Sequence, residues 1–533
     1  MRRLLPLLLA LLAVSVPVAA MDKAAVDRLV FGESEERSAA IVALVAEGDP
    51  RAAELLRALA EGELQATEAG RVLIVRGEEG TDALTGETVS PLPEARDDVV
   101  ANNRLRGEIE GALAAMQLLS KDRQVRFEAA RSLGAKAGEE LLPLVKKALA
   151  QETDAGIRPL LELTAASLQI RSGTKGARID AIRTLGESAS PGVKTLLVAL
   201  LDKDKDCRPL EADADIRAEA AKSLRAVEGR LAWGERLGLA FAGISLGSIL
   251  LLAALGLAIT YGLMGVINMA HGELIMIGAY ATYVVQNLFR AHLPDAFDWY
   301  LACAVPVSFA AAALVGMALE RLVIRWLYGR PLETLLATWG ISLMLIQAVR
   351  TLFGAQNVQV ENPAFMSGGV EAIAGVVMPW SRIVIIAFAA AVLLCIWLLL
   401  TRTRLGLFVR GVTQNRQMAS CVGVPTARVD TWAFGLGCGI AGLAGCALSQ
   451  IGNVGPDLGQ GYIVDSFMVV VLGGVGQLAG TVYAALGLGF ANKLLEAWQG
   501  AVLAKIAVLV FIVVFIQKRP QGLFALRGRS VEA

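Results

Sequence analysis

Hydrophobic and polar positions divide this chain into two parts that follow different rules. Up to about residue 236, apolar residues recur at i, i+3/i+4 and i+7 among Glu, Asp, Arg and Lys. That is the pattern of helices with one buried face. Beyond it, long runs carry almost no charge, and between Gly238 and Phe289 the only formally charged side chain is Glu273. Apolar segments fall near 239–265, 267–289, 300–323, 334–353, 382–401, 431–451, 463–475, 478–497 and 502–517. Most are long enough to cross the roughly 30 Å apolar core of a bilayer. The segment 463–475 is short, so the pattern predicts either nine crossings or seven with a re-entrant pair at 463–497.

In the first part, residues 1–20 read as a secretory signal peptide. Arg2 and Arg3 make a basic start, the apolar centre is too short to span a bilayer, and Val18-Ala19-Ala20 offers a small-residue cleavage site. Residues 21–232 then read as a soluble helical domain carried across the membrane. Three segments share a pattern of Asp, aliphatic, Arg, then small or apolar residues at helical spacing. They are Asp122 with Val125 and Arg126, leading to Ala129 and Leu133; Asp154 with Ile157 and Arg158, leading to Leu161 and Ala165; and Asp215 with Ile216 and Arg217, leading to Ala220 and Leu224. Ala177, Arg178 and Ile179, leading to Ala181 and Leu185, form a looser copy. The aspartate caps a helix start and the apolar stripe buries one face. Repeats at such intervals predict stacked helix pairs of HEAT type. Arg71-Val-Leu-Ile-Val75, followed by Gly80, Thr85-Gly86, Pro91 and Pro93, predicts a strand or hairpin excursion. No histidine lies here, since His271 and His292 are the only two in the chain. With no nucleophile or acid/base constellation, the expectation is docking or covering, not catalysis.

The second part departs from a plain anchor in two stretches, 256–280 and 472–489. The first holds five glycines together with Asn268, His271 and Glu273. Polar groups inside an apolar layer are costly unless protein satisfies them or a cavity receives them. Paired interruptions in two halves of a membrane chain point to a transport path, because freed backbone groups and half-helix ends can face a small ligand. Helix breaks are expected at Gly262, Gly265 and Gly272 and at Gly473, Gly474 and Gly476. Candidate path residues are Asn268, His271 and Glu273 in the first stretch and Gln477 and Thr481 in the second, with Asn492 beyond. Two readings stand side by side. These groups line or gate the path, or Asn268 or His271 caps the helix after the break with Glu273 at its positive end. The polar groups of the second stretch equally suit hydrogen bonds between helices. The glycines either break helices or let them pack closely.

Basic residues set the orientation. Arg321, Arg325 and Arg330 mark one inside loop, and Arg402, Arg404, Arg410, Arg416 and Arg428 mark another. Lys518, Arg519, Arg527 and Arg529 make the C-terminus cytoplasmic. With the first domain outside, the number of crossings is odd. In the loop 402–430, Met418, Cys421 and Val422 fall at i, i+3 and i+4, which predicts a short amphipathic helix within 413–424 suited to a partner's groove.

Composition fits this division. The chain of 533 residues is 55% hydrophobic, too apolar for a soluble enzyme, and 19% charged, too charged for membrane alone. Formal net charge is zero, which implies no general attraction to nucleic acid. One of six cysteines, Cys207, lies in the charged part, so no internal disulfide or metal cluster is predicted there. Gly-Lys never occurs, so the phosphate-binding loop G-x-x-x-x-G-K-[ST] is absent. If ATP powers transport, another polypeptide hydrolyses it, and this chain carries no cofactor. An ion-coupled carrier would be expected to show more buried acidic groups. A membrane-anchored envelope protein would have a featureless anchor.

The fold expected is therefore all-α: a polytopic membrane helix bundle with broken helices, preceded by a soluble HEAT-like helical domain. Several stretches resemble the permeases of ABC importers of the branched-chain amino acid type. These are 260–280, Asn415-Arg-Gln-Met-Ala-Ser-Cys-Val-Gly-Val424, Val471-Leu-Gly-Gly-Val-Gly-Gln-Leu-Ala-Gly480 and Arg519-Pro-Gln-Gly-Leu-Phe524. The resemblance covers roughly 236–525. Ile267-Asn-Met-Ala-His-Gly-Glu273, with methionine where the amino acid permeases tend to carry phenylalanine, is similar to the urea permease branch. So are Asn102-Asn-Arg-Leu-Arg106 and the long exported domain. The resemblance implies a bacterial inner-membrane permease working with a second permease subunit, two ATP-binding subunits and a periplasmic substrate-binding protein. It places the ATPase contact at Asn415, Arg416, Met418, Ala419, Val422 and Gly423. Urea is the expected cargo. Branched-chain amino acids are the alternative, and a passive channel for a small neutral solute is a further one.

Overall fold

The structure is a computed structural model. It describes residues 22–524 except 48–49, 68–69, 78, 94, 135–137, 139–140, 172, 205, 207, 266 and 374–375. The expected signal peptide, Cys207, Arg527 and Arg529 lie outside the described residues. The chain separates into two compact units, 1–232 and 233–533.

The first unit is helical, with one small sheet. Helices Lys23–Phe31, Ser34–Glu47 and Pro50–Glu61 precede five short antiparallel strands in the order β4-β3-β2-β1-β5. These are β1 Leu64–Thr67, β2 Val72–Arg76, β3 Glu79–Asp82, β4 Thr88–Val89 and β5 Arg96–Asp98. The predicted excursion at 71–75 is β2, the middle strand, with Leu64 facing Ile74 and Val75 facing Gly80.

Six helices follow, Asn103–Gln117, Arg123–Leu133, Leu142–Gln151, Arg158–Gln169, Lys175–Gly186 and Pro191–Leu201. Their apolar stripes meet in pairs, as in the core formed by Ala115, Leu133, Val145, Ile157 and Leu161. The repeated charged positions explain the stacking. Asp122 accepts from Gln124 N at 2.8 Å and caps its helix. Asp154 accepts from Gly156 N at 2.8 Å, in the turn before the next helix. Arg126 binds Glu152 at 2.8 Å and the Ser120 carbonyl at 3.0 Å. Arg178 binds Glu211 at 2.5 Å and the Ile170 carbonyl at 2.8 Å. Each arginine thus satisfies carbonyls at a loop and ties one repeat to the next.

The helix Ala214–Met264 begins in the first unit and ends in the second. In the second unit follow His271–His292, Tyr300–Leu322, Pro331–Phe353, Trp380–Arg402, Arg404–Gln414, Arg416–Cys421, Thr426–Ser449, Gln460–Gly473, Leu478–Gln499 and Ala501–Lys518, with a two-stranded ribbon at Gly369–Ile373 and Val376–Pro379. Among the described residues, seven helices are long and apolar enough to cross a membrane. Leu478–Gln499 is among them. His271–His292 falls outside the set despite its 22 residues, and Gln460–Gly473 does so with 14.

Thr426–Ser449 is the centre of this unit, with 89% of its apolar window buried against 17% for Ala501–Lys518. Small residues put it there. Gly435 lies against Met317, Gly437 against Gly256 and Thr260, Gly439 against Phe309, Gly442 against Ser308, and Gly445 against Ile275 and Ala279. A Cβ at any of these five would collide with its neighbour. Lipid tails are as apolar as leucine, so close van der Waals contact holds such helices together more than exclusion of apolar surface does.

Candidate functional site

The helix Ala214–Met264 ends where Gly265 adopts φ 64° and donates its N–H to the Tyr261 carbonyl at 2.9 Å. This is the left-handed stop that glycine allows cheaply. The chain then doubles back. His271, at the start of the next helix, donates from Nε2 to the carbonyl of Ala253 at 2.9 Å. Ala253 lies about three turns before the preceding helix ends. Residues 265 and 267–270 are therefore non-helical chain between the two helices, with Asn268 and Ala270 buried. The expectation that His271 caps the new helix is corrected: its ring bridges the two helices, with Cε1 against Gly256. Asn268 does the local work instead, its Oδ1 accepting from Ala270 N at 3.1 Å.

The facing helix Pro331–Phe353 supplies the remaining partners, and the sequence reading did not single them out. Thr334, Thr338 and Ser342 are buried at four-residue spacing. Thr338 Oγ1 accepts from Met269 N at 3.2 Å, and Ser342 lies beside the Glu273 carboxylate. A threonine–serine stripe in an otherwise apolar helix was the available signal. Four polar atoms on the stretch 268–280 stay buried without a hydrogen-bond partner among the described residues: Asn268 Nδ2, His271 Nδ1, Glu273 Oε2 and the Tyr280 hydroxyl. The set contains donors and acceptors, and no lysine or arginine is buried among the described residues of the unit.

The second stretch meets the first. A Cβ on Gly262 would fall 2.6 Å from Gly476 Cα, so the second interruption lies against the last helical turn before the first. Gly474 at φ 99° and Gly476 at φ 78° form the turn between Gln460–Gly473 and Leu478–Gln499. The six expected breaks therefore divide. Gly265, Gly474 and Gly476 take left-handed backbone and interrupt helices. Gly262, Gly272 and Gly473 sit inside helices and are corrected to close-approach positions, against Gly476, Gly459 and Gly480 respectively. Thr481 is buried, and its hydroxyl bonds the Gln477 carbonyl at 3.0 Å within its own helix. Gln477 is half-buried, while Gly265 and Gly476 are exposed. Leu523 and Phe524 close this turn. Leu523 N donates to the Leu472 carbonyl at 2.8 Å and Phe524 N to the Gly473 carbonyl at 3.4 Å. The Phe524 ring stacks on Tyr483 with centroids 5.8 Å apart.

In the loop 402–430, Asn415 caps the helix Arg416–Cys421 by accepting from Met418 N at 2.9 Å. Ala419 packs inward on Val409, Val412 and Val429. Met418 and Val422 point outward, 62% and 75% exposed, which leaves an apolar pair available to a partner. Gly423, at φ 88°, ends the turn. Arg416 differs from these two: its Nη2 donates to the buried carboxylate of Asp430.

Comparison with known proteins accords with this geometry. The family described as branched-chain amino acid transport system, permease component, matches residues 239–517. The chain is 27% identical over 287 residues to the high-affinity branched-chain amino acid transport system permease protein BraD of Pseudomonas aeruginosa, covering 53% of this chain and 93% of that protein. It is 28% identical over 290 residues to the permease protein LivH of the corresponding system of Escherichia coli K12, with coverage of 53% and 93%. It is also 27% identical over 241 residues to the autoinducer 2 import system permease protein LsrD of Yersinia enterocolitica, with coverage of 42% and 69%. No solved structure matches the chain. The seven membrane-length helices, the paired interruptions and the match over 239–517 lead to one conclusion: this multi-pass membrane protein belongs to the family of branched-chain amino acid transport system permease components.

Proposed function

We propose that the chain is one permease subunit of an ATP-driven importer in a bacterial inner membrane, and that its cargo is a small neutral hydrogen-bonding solute of the urea type. In this reading residues 1–20 direct export, the unit that follows is periplasmic, and the C-terminus is cytoplasmic. Two ATP-binding subunits, a second permease and a periplasmic binding protein complete the machine. The observation that carries the importer reading is the contact of Gly262 with Gly476. It supports a path at which the second interruption meets the helix end that leads into the first, and in this reading relative movement there opens or closes the path. ATP-driven motion of the partner subunits enters through Met418 and Val422, with Asn415, Ala419 and Gly423 shaping the element that carries them. The helices alternate between outward and inward openings. Gly265, Gly476 and Gln477 are the path-facing positions, and Asn268, His271, Glu273 and Thr481 hold the interruptions in shape behind them.

A neutral cargo is supported by the resemblance of 267–273 to urea permeases. It is supported also by the absence of a buried lysine or arginine among the described residues of the unit, which leaves a cargo carboxylate no cationic side chain. A second reading, branched-chain amino acids, is favoured by the relatives named for that cargo. In that case the start of the helix His271–His292 receives the carboxylate. Uptake of labelled urea and leucine by cells lacking and then regaining this chain separates the two. Urea uptake is expected to return and to vanish without the ATPase subunits. Leucine uptake alone overturns the cargo, and urea entry that persists without ATPase overturns the importer in favour of a passive channel. Met418→Glu with Val422→Glu is expected to abolish co-purification of the ATPase, read on a gel of the detergent-extracted complex.

A further inference from the structure

The side chains behind the helix Arg416–Cys421 form a cluster that neither the resemblance nor the transport path accounts for. Asp430 is buried near the start of the central helix Thr426–Ser449, and its carboxylate receives Arg416 Nη2. The Arg416 guanidinium lies 4.8 Å from the centroid of the Tyr328 ring, a stacking distance for a cation on an aromatic face. The Tyr328 hydroxyl donates to Glu320 Oε1 at 3.2 Å, and Thr431 Oγ1 donates to Glu320 Oε2 at 2.7 Å. Glu320 is buried at the end of Tyr300–Leu322. Two buried carboxylates on two different helices are thus joined through Tyr328 and Arg416 to one short exposed helix.

Such an arrangement is a poor way to gain stability. Desolvating charges offsets most of their attraction, and well-packed apolar residues of similar volume would hold the same helices as well or better. What the cluster offers is directional linkage: a guanidinium held by a carboxylate and an aromatic face resists both sliding and lifting. The two helices it grips also support the first interruption. The central helix meets Gly256 through Gly437 and the helix His271–His292 through Gly442 and Gly445, while Gly316 of Tyr300–Leu322 meets Cys438. Contacts this close leave no slack, so a shift at one end is passed to the other.

We propose that Arg416, Asp430, Tyr328 and Glu320 form a transmission clamp. It passes displacement of the helix Arg416–Cys421 to Tyr300–Leu322 and Thr426–Ser449, and through their glycine contacts to the interruption that begins at Gly265. Arg416 and Asp430 are its positioning residues. The inference rests on the reading of Arg416–Cys421 as the element that meets the ATPase.

The test uses the intact complex with its ATPases in liposomes, with labelled urea as probe, and reads solute imported per ATP hydrolysed. With Asp430→Asn, the ATPase is expected to remain bound and to hydrolyse ATP while solute per ATP falls about fivefold or more, the low end of measured coupling between sites. Arg416→Lys, which keeps the charge and loses the fork, is expected to fall less. Tyr328→Phe keeps the ring under the guanidinium and loses the hydroxyl that bonds Glu320, and is expected to lower the ratio while leaving complex yield unchanged. If Asp430→Asn fails to accumulate, Tyr328→Phe decides. A wild-type complex that retains ATPase, with an unchanged ratio in Tyr328→Phe and in whichever other variants assemble, overturns the clamp alone. A wild-type chain that never retains ATPase overturns the underlying reading and the clamp with it.

Discussion

The two units are held together by opposite chemistries. In the first, arginines reach across loops to carboxylates and carbonyls, as Arg126 does to Glu152 and Ser120. In the second, glycines bring backbones into contact, as Gly445 does with Ile275 and Ala279. Water explains the difference. A soluble repeat gains by burying an apolar stripe, and its polar loops must then be satisfied against a solvent that competes for every hydrogen bond. A helix in lipid gains little from burial as such and adheres through the closest contact it can make. The same residue change is therefore expected to act very differently in the two units.

The largest effect expected is Gly445→Val. Its side chain would have to occupy the position of the Ile275 carbonyl, where only backbone can give way, and loss of folded protein from detergent extracts is expected. Gly340→Val, on an open face of Pro331–Phe353, is the control and leaves the yield unchanged. A rise in yield for Gly445→Val would break the comparison. Next comes Arg126→Ala in the first unit. It strands Glu152, whose side chain is 4% exposed, and is expected to lower the stability of the excised segment 22–232 by about 1–3 kcal/mol, read by denaturant titration.

The same pairs give the first unit a pH dependence. The Arg126 guanidinium, hydrogen-bonded to Glu152, holds that carboxyl below the usual range, and Arg178 does the same for Glu211. A depressed folded-state pKa stabilises above the unfolded value and loses that stabilisation as pH falls through the folded value. The melting temperature of segment 22–232 is thus expected to hold down to about pH 5 and to fall below about pH 4.3. The Arg126→Ala segment should lose less on acidification than the parent. The smallest effect is Arg158→Ala. It removes an exposed i, i+4 pair with Glu162 and is expected to change stability by no more than about 0.5 kcal/mol, because water screens both partners. A loss as large as that of Arg126→Ala would blur the distinction between loop-satisfying and surface arginines.

Much of this organisation can be read along the chain because it is written in periodicity. The Asp-aliphatic-Arg repeats and the apolar runs each follow from one element's own needs, and helices lie at both. The paired interruptions were also legible, since glycines crowd both apolar runs beside polar residues that a plain membrane helix does not need. The division of labour among the glycines was not. A helix stop and a close approach both demand the absence of a Cβ, and only the neighbour tells them apart; Gly262 needs Gly476, more than two hundred positions later. Thr338, Ser342, Glu320 and Asp430 escaped notice for the same reason, since each acquires meaning from a partner on another helix. Of the two caps offered, Asn268 takes the local role, while the acceptor of His271, Ala253, lies on the helix before, which sequence proximity does not reveal.

The hydrogen bonds from Leu523 and Phe524 to the carbonyls of Leu472 and Gly473 carry a consequence for how the protein is made. The helix Gln460–Gly473 leaves the ribosome well before the residues that complete its end. Two of its carbonyls wait, unmet, while Leu478–Gln499 and Ala501–Lys518 are still being threaded into the bilayer. The second interruption is thus finished among the last events of biogenesis. A reporter fused immediately after Phe524 would stand against the turn it closes, so expression tags belong at the end of a spacer.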